Sequence, residues 1–320
     1  MQGSEKDEYR GVWDKLVLIG FGSQGKAWAS NLRDSGRTIE VFLRSPNSLK
    51  DHLKARGFAL AHDLSHYPAL LLLIPDDQHL GFLKTHSHSI PSGTSIIYAH
   101  GASMMENDFA QIYPQFNHLL LAPKAIASEV RFQYENKGKL GAVYSVQSTI
   151  ENIDIDLEVE LLALAQDLGI TAGPFRTSFK DEACADLFSE QSLLCGLIPH
   201  AAKISFEMLL KRGISPELAY MECWLEVKLI ADAMVKKGPA ELFNLISPHA
   251  LKGSHLAQQR FFDKAYHEIL ERLLSDIENG SFFKAANEID SNELRSQYRK
   301  LWSNSELQKI HDKLKEVLVP

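Results

Sequence analysis

The segment KLVLIGFGSQGKAWASNLRDSG, from Lys15 to Gly36, constrains the fold more than any other stretch of the chain. Leu16–Ile19 is a short apolar run of strand type, and Gln24–Asp34 has the character of a helix. Between them Gly20, Gly22 and Gly25 form GxGxxG. In this context the first glycine permits a tight turn and the second lets the backbone approach a pyrophosphate. The third lets the helix lie close on the strand. The helix N-terminus then faces an anion, so Gly20, Gly22, Ser23, Gln24 and Gly25 are read as dinucleotide-binding residues. The competing reading is a glycine-rich turn that binds nothing.

The next apolar run, TIEVFLR, ends where such a domain reads the adenosine ribose. An NAD site usually offers an acid there. This chain offers Arg44, Ser45, Asn47, Ser48 and Lys50. Cations and hydroxyls suit a 2′-phosphate, so NADPH is favoured over NADH. Further short apolar runs follow at Leu70–Ile74, Ser95–Gly101, His118–Ala125 and Gly141–Gln147. Their alternation with helical stretches gives an α/β fold with a parallel, doubly wound sheet. Functional residues of such sheets gather at the carboxyl ends of the strands, where His100, Lys124 and Pro75-Asp76 fall.

From about Arg176 the pattern turns helical, over Asp181–Lys211, Pro216–Lys237, Arg260–Asn279 and Ser305–Leu318. The reading is a dinucleotide domain over 1–176 and a helical metal and substrate domain over 177–320. A loop, Ile246–Gly253, interrupts the helices and carries Ser247 and His249 as potential ligand groups. In the helical part, Asp186 and Glu190 lie four apart, as do Glu222 and Glu226, each pair on one helical face among apolar neighbours. The surroundings suggest buried helices, where four carboxylates need a counter-charge, and Lys228 is the only base between Met221 and Asp232. All-oxygen ligation suits Mg²⁺ or Mn²⁺ better than zinc. The bland alternative is two amphipathic helices with their acids in water. A dinucleotide domain joined to a carboxylate metal site points to hydride transfer onto a metal-polarised carbonyl.

The net charge of −7 and the lack of a dense basic run argue against nucleic acid as a partner. Cys184, Cys195 and Cys223 lack CxxC spacing and read as buried free thiols of a reducing compartment. The acidic N-terminus is unlike a signal peptide and no apolar run approaches membrane-spanning length, so the expected location is the cytosol.

Taken together, GFGSQGKAWASNLRDSG, YAHG, LAPK, RFQYE, ADLFSEQSLLCG and AYMECWLEVKLI resemble ketol-acid reductoisomerase from about Lys15 to the last helices. The length matches the short form of that family, whose helical domain is knotted. The resemblance implies an NADPH- and Mg²⁺-dependent enzyme of branched-chain amino-acid synthesis, acting on a 2-hydroxy-3-keto acid. It would isomerise 2-acetolactate or 2-aceto-2-hydroxybutyrate and reduce the product to a 2,3-dihydroxy acid. It also implies that Asp186 bridges two Mg²⁺ ions, with Glu190 on one of them. Glu222 and Glu226 would come from a partner subunit, making the protein a homodimer or larger. Lys124 would support proton transfer, His100 would lie beside the nicotinamide, and Ser247 would contact the substrate carboxylate. Glu226 is counted as both metal ligand and catalytic residue.

The chain also departs from that family. Ala125-Ile126-Ala127-Ser128 stands where Gly-Pro-Gly-His is usual, and Ala102-Ser103-Met104 follows the AHG motif. Leu197 replaces a glycine, Pro199 predicts a kink, and Ser247-Pro248-His249-Ala250 replaces Ser-Asn-Thr-Ala. Two alternatives follow: an NADPH/Mg²⁺ reductase of a different 2-keto acid, and a catalytically silent cofactor-binding protein.

Overall fold

The computed structural model describes residues 13–43, 50–150 and 156–318. The chain divides into two compact units, Met1–Ala185 and Asp186–Pro320. In the first unit eight strands form one sheet in the order β3-β2-β1-β4-β5-β6-β7-β8. They are β1 (Lys15–Ile19), β2 (Thr38–Phe42), β3 (Ala59–Leu60), β4 (Ala69–Leu72), β5 (Ser95–Tyr98), β6 (Asn117–Pro123), β7 (Gly141–Gln147) and β8 (Ala172–Arg176). The order reverses at β1 and β4, which opens a crevice at the carboxyl ends of those strands.

Side chains alternate across the sheet and build a core on each face. Leu16 and Leu18 join Trp28, Leu32, Leu71, Leu119, Leu121, Leu161 and Leu164 on one face. Val17 and Ile19 join Leu70, Leu72, Ile96, Tyr98, Phe109 and Leu120 on the other. The helices of this unit are α1 (Ser23–Asp34), α2 (Lys50–Ala55), α3 (His79–His86), α4 (Ala102–Asn107), α5 (Phe109–Ile112), α6 (Ala127–Glu135) and α7 (Leu157–Asp167). The sheet is parallel from β3 through β6, as expected; β7 runs antiparallel to β6, with Pro123 opposite Ala142, and β8 runs parallel to β7. The connection through α6 starts and ends at the same edge of the sheet, so β7 has to run back along β6.

Helix α8 (Phe179–Ser189) carries the chain into the second unit, which is helical throughout its described residues. There follow α9 (Leu197–Lys211), α10 (Pro216–Tyr220), α11 (Glu226–Lys237), α12 (Pro239–Leu245), α13 (Pro248–Phe261), α14 (Lys264–Glu278), α15 (Ser281–Asn287), α16 (Ser291–Ser303) and α17 (Glu306–Leu318). Its own core is small: Phe206, Ala219, Tyr220 and Leu307 form the buried cluster.

Several expectations for this unit need correction. The acid-pair helices are not buried within one chain, since Leu193, Leu194, Leu229 and Ile230 are all exposed. The three thiols are free, but Cys195 is exposed and Cys184 and Cys223 are half-buried. The stretch Phe179–Lys211 is, by length and composition alone, long and apolar enough to cross a membrane, because α8 and α9 follow almost end to end. A turn at Cys195–Gly196 separates the π turn from α9, and Pro199 falls in the first turn of α9, where a missing N–H loses no partner. A Cβ on Gly196 would lie 1.9 Å from the Gln191 carbonyl oxygen, so the turn needs glycine. The Ile246–Gly253 loop is mostly the start of α13: Ser247 caps it and Pro248 opens it.

Candidate active site

The glycine turn between β1 and α1 has the geometry its sequence implies. Gly20 has φ +91°, and a Cβ there would meet the Ile74 side chain at 2.6 Å. A Cβ on Gly25 would lie 3.0 Å from the Gly20 carbonyl oxygen and 3.1 Å from Leu18, the close helix–strand approach expected of the third glycine. Gly22, by contrast, has nothing within 4 Å of where a Cβ would be. It also caps α1 without a side-chain hydrogen bond, so the first N–H groups of α1 are left for an anion. Gln24 Nε2 lies 3.5 Å from the Ala125 carbonyl oxygen, while its Oε1 is buried with no partner among the described residues. The turn therefore fits a dinucleotide phosphate. Arg44, Ser45 and Ser48 lie outside the described residues.

The carboxyl edge of the sheet brings β4, β5 and β6 to one point, and α8 closes it. Asp76 follows β4, His100 follows β5 and Lys124 follows β6. At their centre is Glu182 of α8, whose side chain is 1% exposed. Lys124 Nζ meets Glu182 Oε1 at 2.5 Å, and the Gly101 N–H donates to Oε2 at 2.6 Å. His100 Nε2 lies 3.8 Å from the same Oε2, and His100 Nδ1 lies 3.8 Å from Asp76 Oδ1. A Cβ on Gly101 would collide with the Phe179 carbonyl oxygen at 2.3 Å, so the glycine after His100 lets α8 dock against this edge. Burial acts to raise the Asp76 carboxyl, but the facing His100 imidazole, the His79 and His100 charges and the Ser103 N–H outweigh it. The net effect holds the group below the usual range.

Glu182 was not among the residues singled out from the sequence. Its signal was present, because it lies one helical turn before Asp186, as Asp186 does before Glu190. What the sequence could not supply was its meeting with Lys124 and Gly101, far away along the chain.

In the second unit, both acid pairs adjoin π turns. Glu190 opens Glu190–Leu194, while Glu222 lies in Met221–Leu225 and Glu226 follows at the start of α11. π turns inside helices frequently mark functional sites. Glu190, Glu222 and Glu226 are exposed and Asp186 is half-buried, so desolvation does not require a cation within a single chain. Acid pairs at this spacing still form an all-oxygen donor set suited to a hard divalent ion. Glu222 and Glu226 join no cluster of three possible ligand side chains among the described residues. Ser247 Oγ accepts the Ala250 N–H at 3.2 Å as the cap of α13.

Residues 13–173 match the NADPH-binding domain of acetohydroxy acid isomeroreductase, and residues 179–319 match the C-terminal domain of ketol-acid reductoisomerase. The chain belongs to the ketol-acid reductoisomerase family. It is accordingly an NAD(P)-dependent oxidoreductase. Among solved structures it resembles an NADH-preferring ketol-acid reductoisomerase from an uncultured archean, with a TM-score of 0.85 and 23% identity over 99% of this chain and 98% of that one. A semialdehyde dehydrogenase NAD-binding protein from Cupriavidus necator matches at a TM-score of 0.64 and 15% identity, over 83% of this chain and 98% of that one. A 1-pyrroline-5-carboxylate reductase from Streptococcus pyogenes matches at 0.56 and 13%, over 83% and 98%. These likenesses are of fold.

Proposed function

We propose that the chain is an NADPH- and Mg²⁺-dependent ketol-acid reductoisomerase converting 2-acetolactate or 2-aceto-2-hydroxybutyrate to the 2,3-dihydroxy acid. The observation that carries this reading is the meeting of Lys124, His100 and the Gly101 N–H at Glu182, one turn before Asp186 on α8. Asp186 and Glu190, with Glu222 and Glu226 from a second copy, would hold Mg²⁺. The ion supplies Lewis acidity for the substrate's oxygens when bound. Lys124 Nζ, beside Glu182, would support proton transfer at the substrate. His100 borders the edge where the nicotinamide would lie, and Ser247 at the start of α13 would bind the substrate carboxylate.

NADPH rather than NADH rests on Arg44, Ser45 and Ser48, whose cations and hydroxyls suit a 2′-phosphate. A homodimer or larger assembly is supported by the second unit, where Leu229 and Val235 are 59% and 88% exposed beside a four-residue buried cluster. A second copy would cover these faces, those of the apolar stretch α8–α9 included, which favours a cytosolic enzyme over a membrane one. An NADPH/Mg²⁺ reductase of another 2-keto acid is the second reading. It is favoured by Ile126, two residues after Lys124 and 74% exposed.

The test is NADPH oxidation with Mg²⁺, using 2-acetolactate and 3-hydroxy-3-methyl-2-ketobutyrate in parallel. Turnover of both supports the proposal. Turnover of the ketobutyrate alone means that hydride transfer persists without isomerisation. Turnover of neither refutes it and leaves the second reading to be tested with other 2-keto acids.

A further inference from the structure

The carboxyl edge of the sheet holds a second carboxylate whose arrangement calls for explanation. Asp76 opens a single turn after β4, and its side chain is 43% exposed overall. Its Oδ1, however, is fully buried and has no hydrogen-bond partner within normal reach among the described residues. A buried carboxylate oxygen in that state is costly unless a nearby group answers its charge.

Two imidazoles face it, His79 Nδ1 at 4.0 Å and His100 Nδ1 at 3.8 Å. His79 is already committed. Its Nε2 lies 3.0 Å from the Ile74 carbonyl oxygen, which can only accept, so that nitrogen carries the proton. Its Nδ1 therefore accepts from the Ser103 hydroxyl at 2.7 Å. Burial, opposed by the Asp76 charge and the Ile74 carbonyl, keeps this ring below its ordinary pKa. His79 is thus a neutral pin joining the end of β4 to α4. His100 is differently placed, with Asp76 toward Nδ1 and Glu182 Oε2 3.8 Å from Nε2. The Ala102 N–H also approaches Nδ1, at 3.4 Å.

We propose that Asp76 is a positioning residue that fixes the His100 imidazole between two carboxylates, its own on the Nδ1 side and that of Glu182 on the Nε2 side. This rests on the reading above in that His100 takes part in turnover. The rival role is structural: Asp76 serves only to hold the start of α4 through the Ser103 N–H.

The two roles separate in the full-length Asp76→Asn protein, with Asp76→Ala as a second variant should the first not fold. Imidazole ¹⁵N spectra, assigned with His100→Gln, should show the His100 resonances moving while those of His118 stay. Turnover number should fall on the order of tenfold or more, as expected when a reacting group is misplaced. Substrate KM, NADPH affinity and the thermal midpoint should stay near wild type. The double variant Asp76→Asn/His100→Gln should lose no more than His100→Gln alone, because the effect runs through that ring. Unmoved His100 resonances, a wild-type turnover number or additive losses would overturn the proposal. A lowered thermal midpoint with unmoved His100 resonances would assign Asp76 the structural role instead. Absence of turnover in the wild-type protein would count against the enzymatic reading, while the spectra would still decide the role of Asp76.

Discussion

Lys124 and Glu182 meet at 2.5 Å across the sheet edge, and the Glu182 side chain is 1% exposed while that of Lys124 is 39% exposed. A carboxylate this buried depends on its cation. Lys124→Met should therefore destabilise the protein by about 3 kcal/mol, the low end for breaking a buried pair, because water still reaches the lysine side. Urea unfolding would measure it. A midpoint equal to wild type would mean that the Gly101 N–H alone satisfies Glu182.

The glycines of the site divide into two kinds. Gly101→Ala and Gly20→Ala place a Cβ against Phe179 and Ile74 respectively, so both should lower the thermal midpoint. Gly22→Ala meets nothing within 4 Å and should fold as well as wild type while binding NADPH more weakly. Undiminished cofactor affinity in Gly22→Ala, by fluorescence titration, would show that the dinucleotide does not use this turn.

Arg44→Asp should weaken NADPH much more than NADH, since its target is the 2′-phosphate. Equal weakening of the two cofactors would remove the basis for NADPH preference.

Glu226→Gln should abolish isomerisation and weaken Mg²⁺ binding in calorimetry while leaving NADPH binding intact. The same protein should sediment as a dimer or larger. An active monomer would be incompatible with a site shared between copies.

Acid should destabilise the fold earlier than its carboxylates titrate. His79, His86 and His118 are each held below the ordinary 6.5, first of all by burial. The unfolded chain takes up protons at these rings before the folded chain does. The stability they contribute is thus complete above about pH 6.5 and is lost as pH falls through their folded pKa values. Urea midpoints should decline below about pH 6.5, less so in His118→Gln. A flat profile down to about pH 5 would contradict this.

The strand, glycine turn and helix of Lys15–Gly36 were legible in the sequence because backbone stereochemistry and side-chain period act over a few residues. The acid pairs were legible for the same reason, since spacing four apart fixes a shared helical face. The π turns beside them were not legible in that spacing. Burial was misread at Leu193, Leu194, Leu229 and Ile230: apolar composition says that a face needs covering, but not whether the same chain covers it.

Sequence alone thus determined the α/β unit, the glycine turn, the helical second half and the positions of the acids. The tertiary structure decided that β7 turns back along β6, and that Asp76, His100, Lys124 and Glu182 meet at one edge. No local period encodes that meeting. It depends on strand order, on a glycine at position 101 that lets α8 approach, and on crossovers bringing residues far apart in the chain within reach of one buried carboxylate.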